Sequence, residues 1–425
     1  MTAPTGFTGE DQPDASIFNQ CIRCGFCLPT CPTYLETFTE TSGPRGRISL
    51  IKSVAEERID LLSAGFVEQM EQCLDCRACE AVCPSGVRYG QLVETARTQI
   101  QKAREPDLTP AARRMRALLL GTLFRRLDVL RGLASLVRFA QRTHLTALAG
   151  AFGLGEAAKL APRIDDRFFV PRDQRYPAEK PAGVAFLHAG CVAQVAFARV
   201  HEASVRLLVR AGLSVVVPSD QGCCGAIAVH AGDMPLGRDL AKRNIAAFER
   251  SGADVYVVNA AGCGSALKEY GELFAHDPQW AERARKFSQR VRDITEVLDA
   301  MDLAPPKRGI VVDVTYQEPC HLAHAQRVTA APRRLLAKIP GLRLLEMSES
   351  SVCCGSAGIY NLTQPAMAAR LQRRKIENVA RTGATIVATA NPGCALQVSA
   401  GLRAAGSDVR VAHVVELLDE AYGTG

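Results

Sequence analysis

Sixteen cysteines carry most of the chemistry open to this 425-residue chain, and eight of them fall in two runs of one pattern. Cys21-Ile-Arg-Cys24-Gly-Phe-Cys27-Leu-Pro-Thr-Cys31-Pro32 reads C-x2-C-x2-C-x3-C-P, and Cys73-Leu-Asp-Cys76-Arg-Ala-Cys79-Glu-Ala-Val-Cys83-Pro84 repeats it. Three closely spaced thiolates wrap one corner of a 4Fe-4S cubane, while the fourth, followed by proline, reaches a second cluster. The spacing therefore predicts crossed ligation. Cys21, Cys24, Cys27 and Cys83 hold one cluster, and Cys73, Cys76, Cys79 and Cys31 hold the other. Zinc needs two ligand pairs around one ion, which these triplets with a trailing Cys-Pro overfill.

The other eight cysteines form an internal repeat. Cys191, Cys223, Cys224 and Cys263 recur as Cys320, Cys353, Cys354 and Cys394, each 129 to 131 residues on. Gly212-Leu213 pairs with Gly341-Leu342, Ile245 with Ile376, and Gly252-Ala253 with Gly383-Ala384 in the same register, so a whole domain is duplicated. Runs rich in β-branched residues, 184–187, 215–217 and 255–258, correspond to 311–316, 342–345 and 385–389. Helical patterns such as 236–251 and 366–381 lie between them, which predicts parallel βαβ units. Cys191, Cys263, Cys320 and Cys394 each follow a strand and precede a helix, where open parallel sheets place their sites. The four thiols of each repeat are thus expected to converge on one metal site. Four thiolates suit either a cubane cluster or a tetrahedral zinc. His321 and His324, beside Cys320, are candidate extra ligands or proton carriers; an imidazole next to a ligand more often supports than binds.

The elements that must position these groups divide the chain into four blocks. The expected fold class is multidomain α/β: a mostly helical cluster-binding domain over 1–100, a helical connector over 101–180, and cysteine-rich βαβ domains over 181–306 and 307–425. Residues 48–64 read as one helix between the two cluster motifs. In the connector, Leu119, Leu123, Leu127 and Leu130 fall on one helical face, continued by Leu133, Leu136 and Val137, which predicts two or three amphipathic helices. From Gln101 to Lys180 sixteen Lys or Arg face eight Asp or Glu, so this segment accounts for the whole net charge of +7. Arg113, Arg114, Arg116, Arg125, Arg126, Arg131 and Arg138 are interleaved with leucine rather than with stacking aromatics, which argues against nucleic acid. The face suits packing on neighbouring domains, an anionic lipid surface or an acidic partner. No apolar run approaches the roughly 18 to 20 residues of a membrane-spanning helix. The polar start of the chain lacks an export signal, so a cytoplasmic location with reduced thiols is expected, peripheral to a membrane if the basic helices meet one. There is no G-x-G-x-x-G after a strand and no Gly-Lys-Ser or Gly-Lys-Thr loop, so no nucleotide cradle is expected.

The long separation of the cluster motifs resembles the ferredoxin-type bis-cluster domain of respiratory dehydrogenases. Each later repeat resembles the cysteine-rich CCG domain of heterodisulfide reductase subunits, whose motif ends in Cys-x-x-Cys. Here Ala260 and Asn391 stand where the first cysteine of that pair belongs, so the five-cysteine noncubane arrangement is not available. Over nearly its whole length the chain resembles the iron-sulfur subunits of glycolate oxidase, also called glycolate dehydrogenase. The residues that carry this are Gly43-Pro-Arg-Gly-Arg47-Ile48, Cys83-Pro-Ser-Gly86-Val87, Gly222-Cys-Cys-Gly-Ala226, Ala261-Gly-Cys-Gly264, Lys268-Glu-Tyr-Gly271, Cys353-Cys-Gly-Ser-Ala-Gly358 and Thr389-Ala-Asn-Pro-Gly-Cys394. The resemblance implies partner subunits that bear FAD and oxidise a 2-hydroxy acid, while this chain passes electrons to a quinone or another membrane acceptor. The cluster motifs alone would also suit the iron-sulfur subunit of a glycerol-3-phosphate or lactate dehydrogenase, or a heterodisulfide-reductase-like component. A further alternative makes the CCG repeats zinc-stabilised docking modules.

Overall fold

The computed structural model describes residues 6–143, 145, 163–301 and 303–423. Its N-terminal part is helical, and three helices enclose its core: Pro44–Ala55, Ala64–Gln72 and Tyr89–Arg104. They bury Ile48, Ile51 and Val54 against Phe66, Val67 and Met70, and against Leu92, Val93, Ala96 and Ile100. The first helix begins on Pro44, whose missing N–H costs nothing at that position. The helix expected over 48–64 ends at Ala55, and a turn follows in which Glu57 takes a left-handed conformation. Gly46 is obligatory here, because a Cβ would lie 2.1 Å from the Glu40 carbonyl oxygen. That close approach seats Arg47 in the core, 1% exposed, donating to Gln69 O at 2.8 Å and to Thr33 Oγ1 at 3.1 Å.

Each cysteine repeat is a parallel sheet with helices on both faces. Strands β1 (Gln174–Tyr176), β2 (Gly183–His188), β3 (Leu213–Val217), β4 (Val255–Val258) and β5 (Val291–Asp293) form the first sheet, in the order β1-β3-β2-β4-β5. Only β1 runs antiparallel to its neighbour. Strands β6 (Val312–Tyr316), β7 (Leu342–Leu345), β8 (Ile386–Thr389) and β9 (Arg410–His413) form the second, in the order β7-β6-β8-β9, all parallel. The two sheets match with β3-β2-β4-β5 laid on β7-β6-β8-β9. The sequence anticipates β2, β3 and β4 of the first sheet and β6, β7 and β8 of the second; β1, β5 and β9 are short edge strands that it does not reveal.

The two sheets share one apolar core. Leu187, Val215 and Val257 of the first join Val314, Tyr316 and Ala388 of the second, through Leu207, Leu208, Leu335 and Leu417 on the intervening helices. Helix Ala198–Arg210 packs on helix Val414–Tyr422, where Arg206 reaches Asp419 at 2.6 Å. In the connector the structure shows Pro110–Arg116, a wider turn at Ala117–Thr122 and the helix Leu127–Arg142. Leu133, Leu136, Val137 and Phe139 of that last helix are exposed. Residues 144 and 146–162 of the expected connector lie outside the described residues, and its last part is not helical: Gln174–Tyr176 is strand β1, drawn onto β3 by backbone pairing.

Candidate metal centres

The fold draws the eight N-terminal cysteines into two neighbouring cavities. One is lined by Cys21, Cys24, Cys27 and Cys83, together with Ile48, Val87 and Tyr89. The other is lined by Cys31, Cys73 and Cys76 with Arg47, Leu74 and Arg77, and Cys79 borders both. The fourth cysteine of each motif therefore sits with the other motif's triplet. Backbone turns aim amides at the sulfurs: Asp75 N donates to Cys73 Sγ at 3.4 Å and Val87 N to Cys83 Sγ at 3.4 Å. The first cavity is the more open, with Cys24 exposed; Cys31, Cys73 and Cys79 are buried. Burial pushes the Cys27 thiol up to about 11 and Cys79 well above the ordinary range. Thiols so buried become thiolates only when a metal takes the place of the proton, and the donor set of each cavity fits a cluster.

In the first repeat, Cys191 follows β2, Cys223 and Cys224 follow β3, and Cys263 opens the helix after β4. All four thus lie at the carboxyl edge of the sheet, where the ends of three parallel strands meet. Cys223 Sγ is 3.7 Å from Cys191 Sγ, and Cys224 is within hydrogen-bonding reach of both Cys223 and Cys263. In the second repeat Cys320, Cys353, Cys354 and Cys394 occupy the same places after β6, β7 and β8, in contact in that order. Four sulfurs in successive contact, none joined as a disulfide, also fit a bound metal.

The positions that lack a cysteine are filled differently. Ala260 is packed in the core of the first repeat. Asn391 bridges the repeats, since its Nδ2 donates to Cys394 Sγ at 3.3 Å while its Oδ1 accepts from Gly262 N at 3.1 Å. His321 Nε2 lies 2.8 Å from the Asp75 carbonyl oxygen and His324 Nε2 lies 3.1 Å from that of Ser351, so both imidazoles already have protein partners. Burial lowers His321 to about 4, leaving it neutral.

One functional group of residues has no signal in the sequence. Arg77, 4% exposed, sits between Asp75 at 3.0 Å, Glu80 at 3.1 Å, Glu94 at 3.0 Å and Glu269 of the first repeat at 3.3 Å. It lies flat over Gly90, where a Cβ would strike the guanidinium. His230 Nδ1 completes the group at 3.0 Å from Asp75 and 2.9 Å from Glu94. Burial opposes the charge on His230, but the two carboxylates raise it to about 10. Asp75, Glu94 and His230 could together ligate a cation, yet Arg77 already supplies the positive charge there.

Comparison with known proteins agrees with this geometry. A model described as a 4Fe-4S dicluster domain matches residues 17–87, and one described as a cysteine-rich domain, CCG, matches 185–268 and 314–399. The chain is 39% identical to the probable glycolate oxidase iron-sulfur subunit of Bacillus subtilis (strain 168), over 97% of this chain and 96% of that one. It is 33% identical to the glycolate oxidase iron-sulfur subunit of Escherichia coli (strain K12), over 96% and 94%. The chain belongs to the glycolate oxidase iron-sulfur subunit family. Outside this glycolate oxidase group, the lactate utilization protein A of Oceanobacillus iheyensis is 32% identical over 54% of this chain and 93% of its own. The four cysteine sites described above fall within the regions that the two domain models match, save that Cys191 to Cys394 are divided between two copies of one of them.

Proposed function

We propose that this chain is the electron-transfer subunit of a glycolate dehydrogenase complex, taking electrons from FAD-bearing partner subunits and passing them to a quinone. Membership of the glycolate oxidase iron-sulfur subunit family supports the substrate and the complex. The observation that carries the relay is the continuity of the sulfur-lined sites: Cys76 of the second cavity and Cys320 of the second repeat pack on one buried apolar cluster with Leu74, Cys353 and Tyr360. A cluster bound in such sites accepts and returns one electron at a time, which the two-electron chemistry of a flavin requires.

In this reading Cys21, Cys24, Cys27 and Cys83 hold one 4Fe-4S cluster, and Cys31, Cys73, Cys76 and Cys79 hold the other. Cys191, Cys223, Cys224 and Cys263 ligate a third group, and Cys320, Cys353, Cys354 and Cys394 a fourth. The domain limits at about residues 100 and 306 are those read from the sequence, while the connector ends before β1, which belongs to the first sheet. The protein works in the cytoplasm. Its helix Leu127–Arg142 turns Arg131, Arg138 and Arg142 onto Gln194, Asp165 and Asp166 and leaves Leu133, Leu136 and Phe139 exposed, an apolar face that meets the membrane where the quinone lies. No helix among the described residues is long and apolar enough to cross a bilayer. A second reading gives the repeats zinc and a docking role, and the identity to lactate utilization protein A favours lactate as the competing substrate.

Anaerobically reconstituted chain is expected to hold about sixteen iron atoms, and its addition should let the flavin subunits reduce a quinone. About eight iron with two zinc would give the repeats to zinc, and quinone reduction that needs no iron-sulfur chain would end the relay proposal. Cys83→Ser is expected to damage the spectroscopic signal shared with Cys21, Cys24 and Cys27; loss of the other signal alone would show uncrossed ligands.

A further inference from the structure

The long helix that follows each Cys-Cys-Gly loop, after one short helical turn, sends one buried polar side chain back to the segment around that loop, and the repeats differ there. In the first, Asn244 on helix Met234–Ser251 is wholly buried. Its Oδ1 accepts from Gly222 N at 2.9 Å, and its Nδ2 donates to Cys223 O at 2.9 Å and to Tyr270 Oη at 3.2 Å. The position before Ile376, which pairs with Ile245 in the repeat, is Lys375 on helix Pro365–Thr382. Lys375 is 2% exposed, and its Nζ donates to the carbonyl oxygens of Glu349 at 2.5 Å and Ser350 at 3.0 Å, on the segment that leads into Cys353 and Cys354. Both acceptors are neutral. The nearest carboxylate, that of Glu349, is taken up by Arg374 at 2.6 and 2.7 Å and by Asn378 at 2.9 Å.

An ammonium buried among neutral partners is unfavourable unless negative charge lies close by. Burial indeed works against the charge on Lys375, and the groups that most favour it are the sulfurs of Cys354, Cys353 and Cys394. Those are three of the four thiols of the second site. The first site has an amide dipole at the same helical position.

We propose that Lys375 is a positioning residue that fixes one positive charge against the second four-thiolate site, so that the group held there is more easily reduced than its counterpart beside Asn244. This rests on the reading that both repeats hold redox-active iron-sulfur groups. A fixed cation favours the state with one more electron, and in a dry interior its field is little screened. Two sites with the same thiol donors are thereby set to different potentials by one side chain, giving the electron a direction within the duplicated half.

The test is a redox titration of the whole chain, reconstituted anaerobically and followed by electron paramagnetic resonance, on Lys375→Gln and Lys375→Arg. The second-site signal is the one absent from Cys354→Ala. With iron content unchanged, Lys375→Gln is expected to weaken reduction of that signal about tenfold, or about 59 mV for one electron, and to leave the other signals in place. Lys375→Arg should restore the wild-type potential. Full iron with an unmoved potential in Lys375→Gln overturns the proposal, while zinc at both repeats overturns the reading beneath it. If Lys375→Gln loses its second-site iron, Lys375→Arg decides: retained iron at the wild-type potential supports the charge role, and loss there too overturns it in favour of packing.

Discussion

The first repeat is joined to the N-terminal helices by buried charge, the second by apolar contact. On the first side Arg77 and His230 are enclosed by Asp75, Glu94 and Glu269, and Arg97 donates to His230 O at 3.0 Å. On the second, Leu74 packs on Tyr360, Met367 and Leu371, and the ion pairs Arg370–Glu36 at 3.0 Å and Arg374–Glu36 at 3.1 Å stand more open at the rim. The thiol sites are nevertheless superimposable in plan, because three parallel strands deliver their loops to one edge in both repeats. Sheet topology dictates where the sulfurs gather and leaves the outer surface free, so a duplicated domain can keep one chemistry and dock in two ways.

The largest effect should come from the charged side. Arg77→Met leaves Glu80 and Glu269 without their cation, and Asp75 and Glu94 with His230 alone, and is expected to cost about 3–5 kcal/mol in denaturant unfolding, whereas Arg370→Ala should cost less than about 1 kcal/mol. Equal losses would mean that the two attachments are not different in kind. Next comes pH. The folded state raises His230 from 6.5 to about 10, so its contribution is complete below pH 6.5 and is lost as pH rises through about 10. Melting temperatures of wild type and His230→Gln should therefore differ most near pH 6 and converge above pH 10; a gap that stays constant over that range would place the ion pair elsewhere. The smallest effects belong to two tyrosines. Tyr270 donates to Cys224 O at 2.8 Å within the first repeat, and Tyr360 donates to Gln72 O at 2.8 Å across the second contact. Each Tyr→Phe change should cost about 1 kcal/mol. Tyr360→Phe alone should loosen the N-terminal helices, as amide hydrogen exchange of residues 64–76 would report.

What the sequence makes legible is what local spacing controls. Cysteines three residues apart, a repeat in constant register and β-branched runs of four or five residues can each be read without knowing the fold. Edge strands such as Val291–Asp293 are too short to leave a period, and the helix ending at Ala55 is stopped by a turn rather than by proline or glycine. Arg77 is harder still. Its partner Glu269 is 192 residues away, and an arginine inside a cluster motif looks like any exposed one until the repeat is docked on it. Asn391 and Lys375 are polar residues in helical contexts whose roles depend on which sulfur the chain brings beside them.

The common interior of the two sheets makes the duplicated half a single mechanical body. Helix Ala198–Arg210 of the first repeat lies directly on helix Val414–Tyr422 of the second, so parting the repeats near residue 306 would bare apolar faces of both helices. Folding of the two repeats is therefore expected to be coupled, with the sulfur sites carried on one body instead of across a hinge. In the relay proposed above, sites carried on one body keep their separation, and with it the passage time of an electron, the same from one turnover to the next.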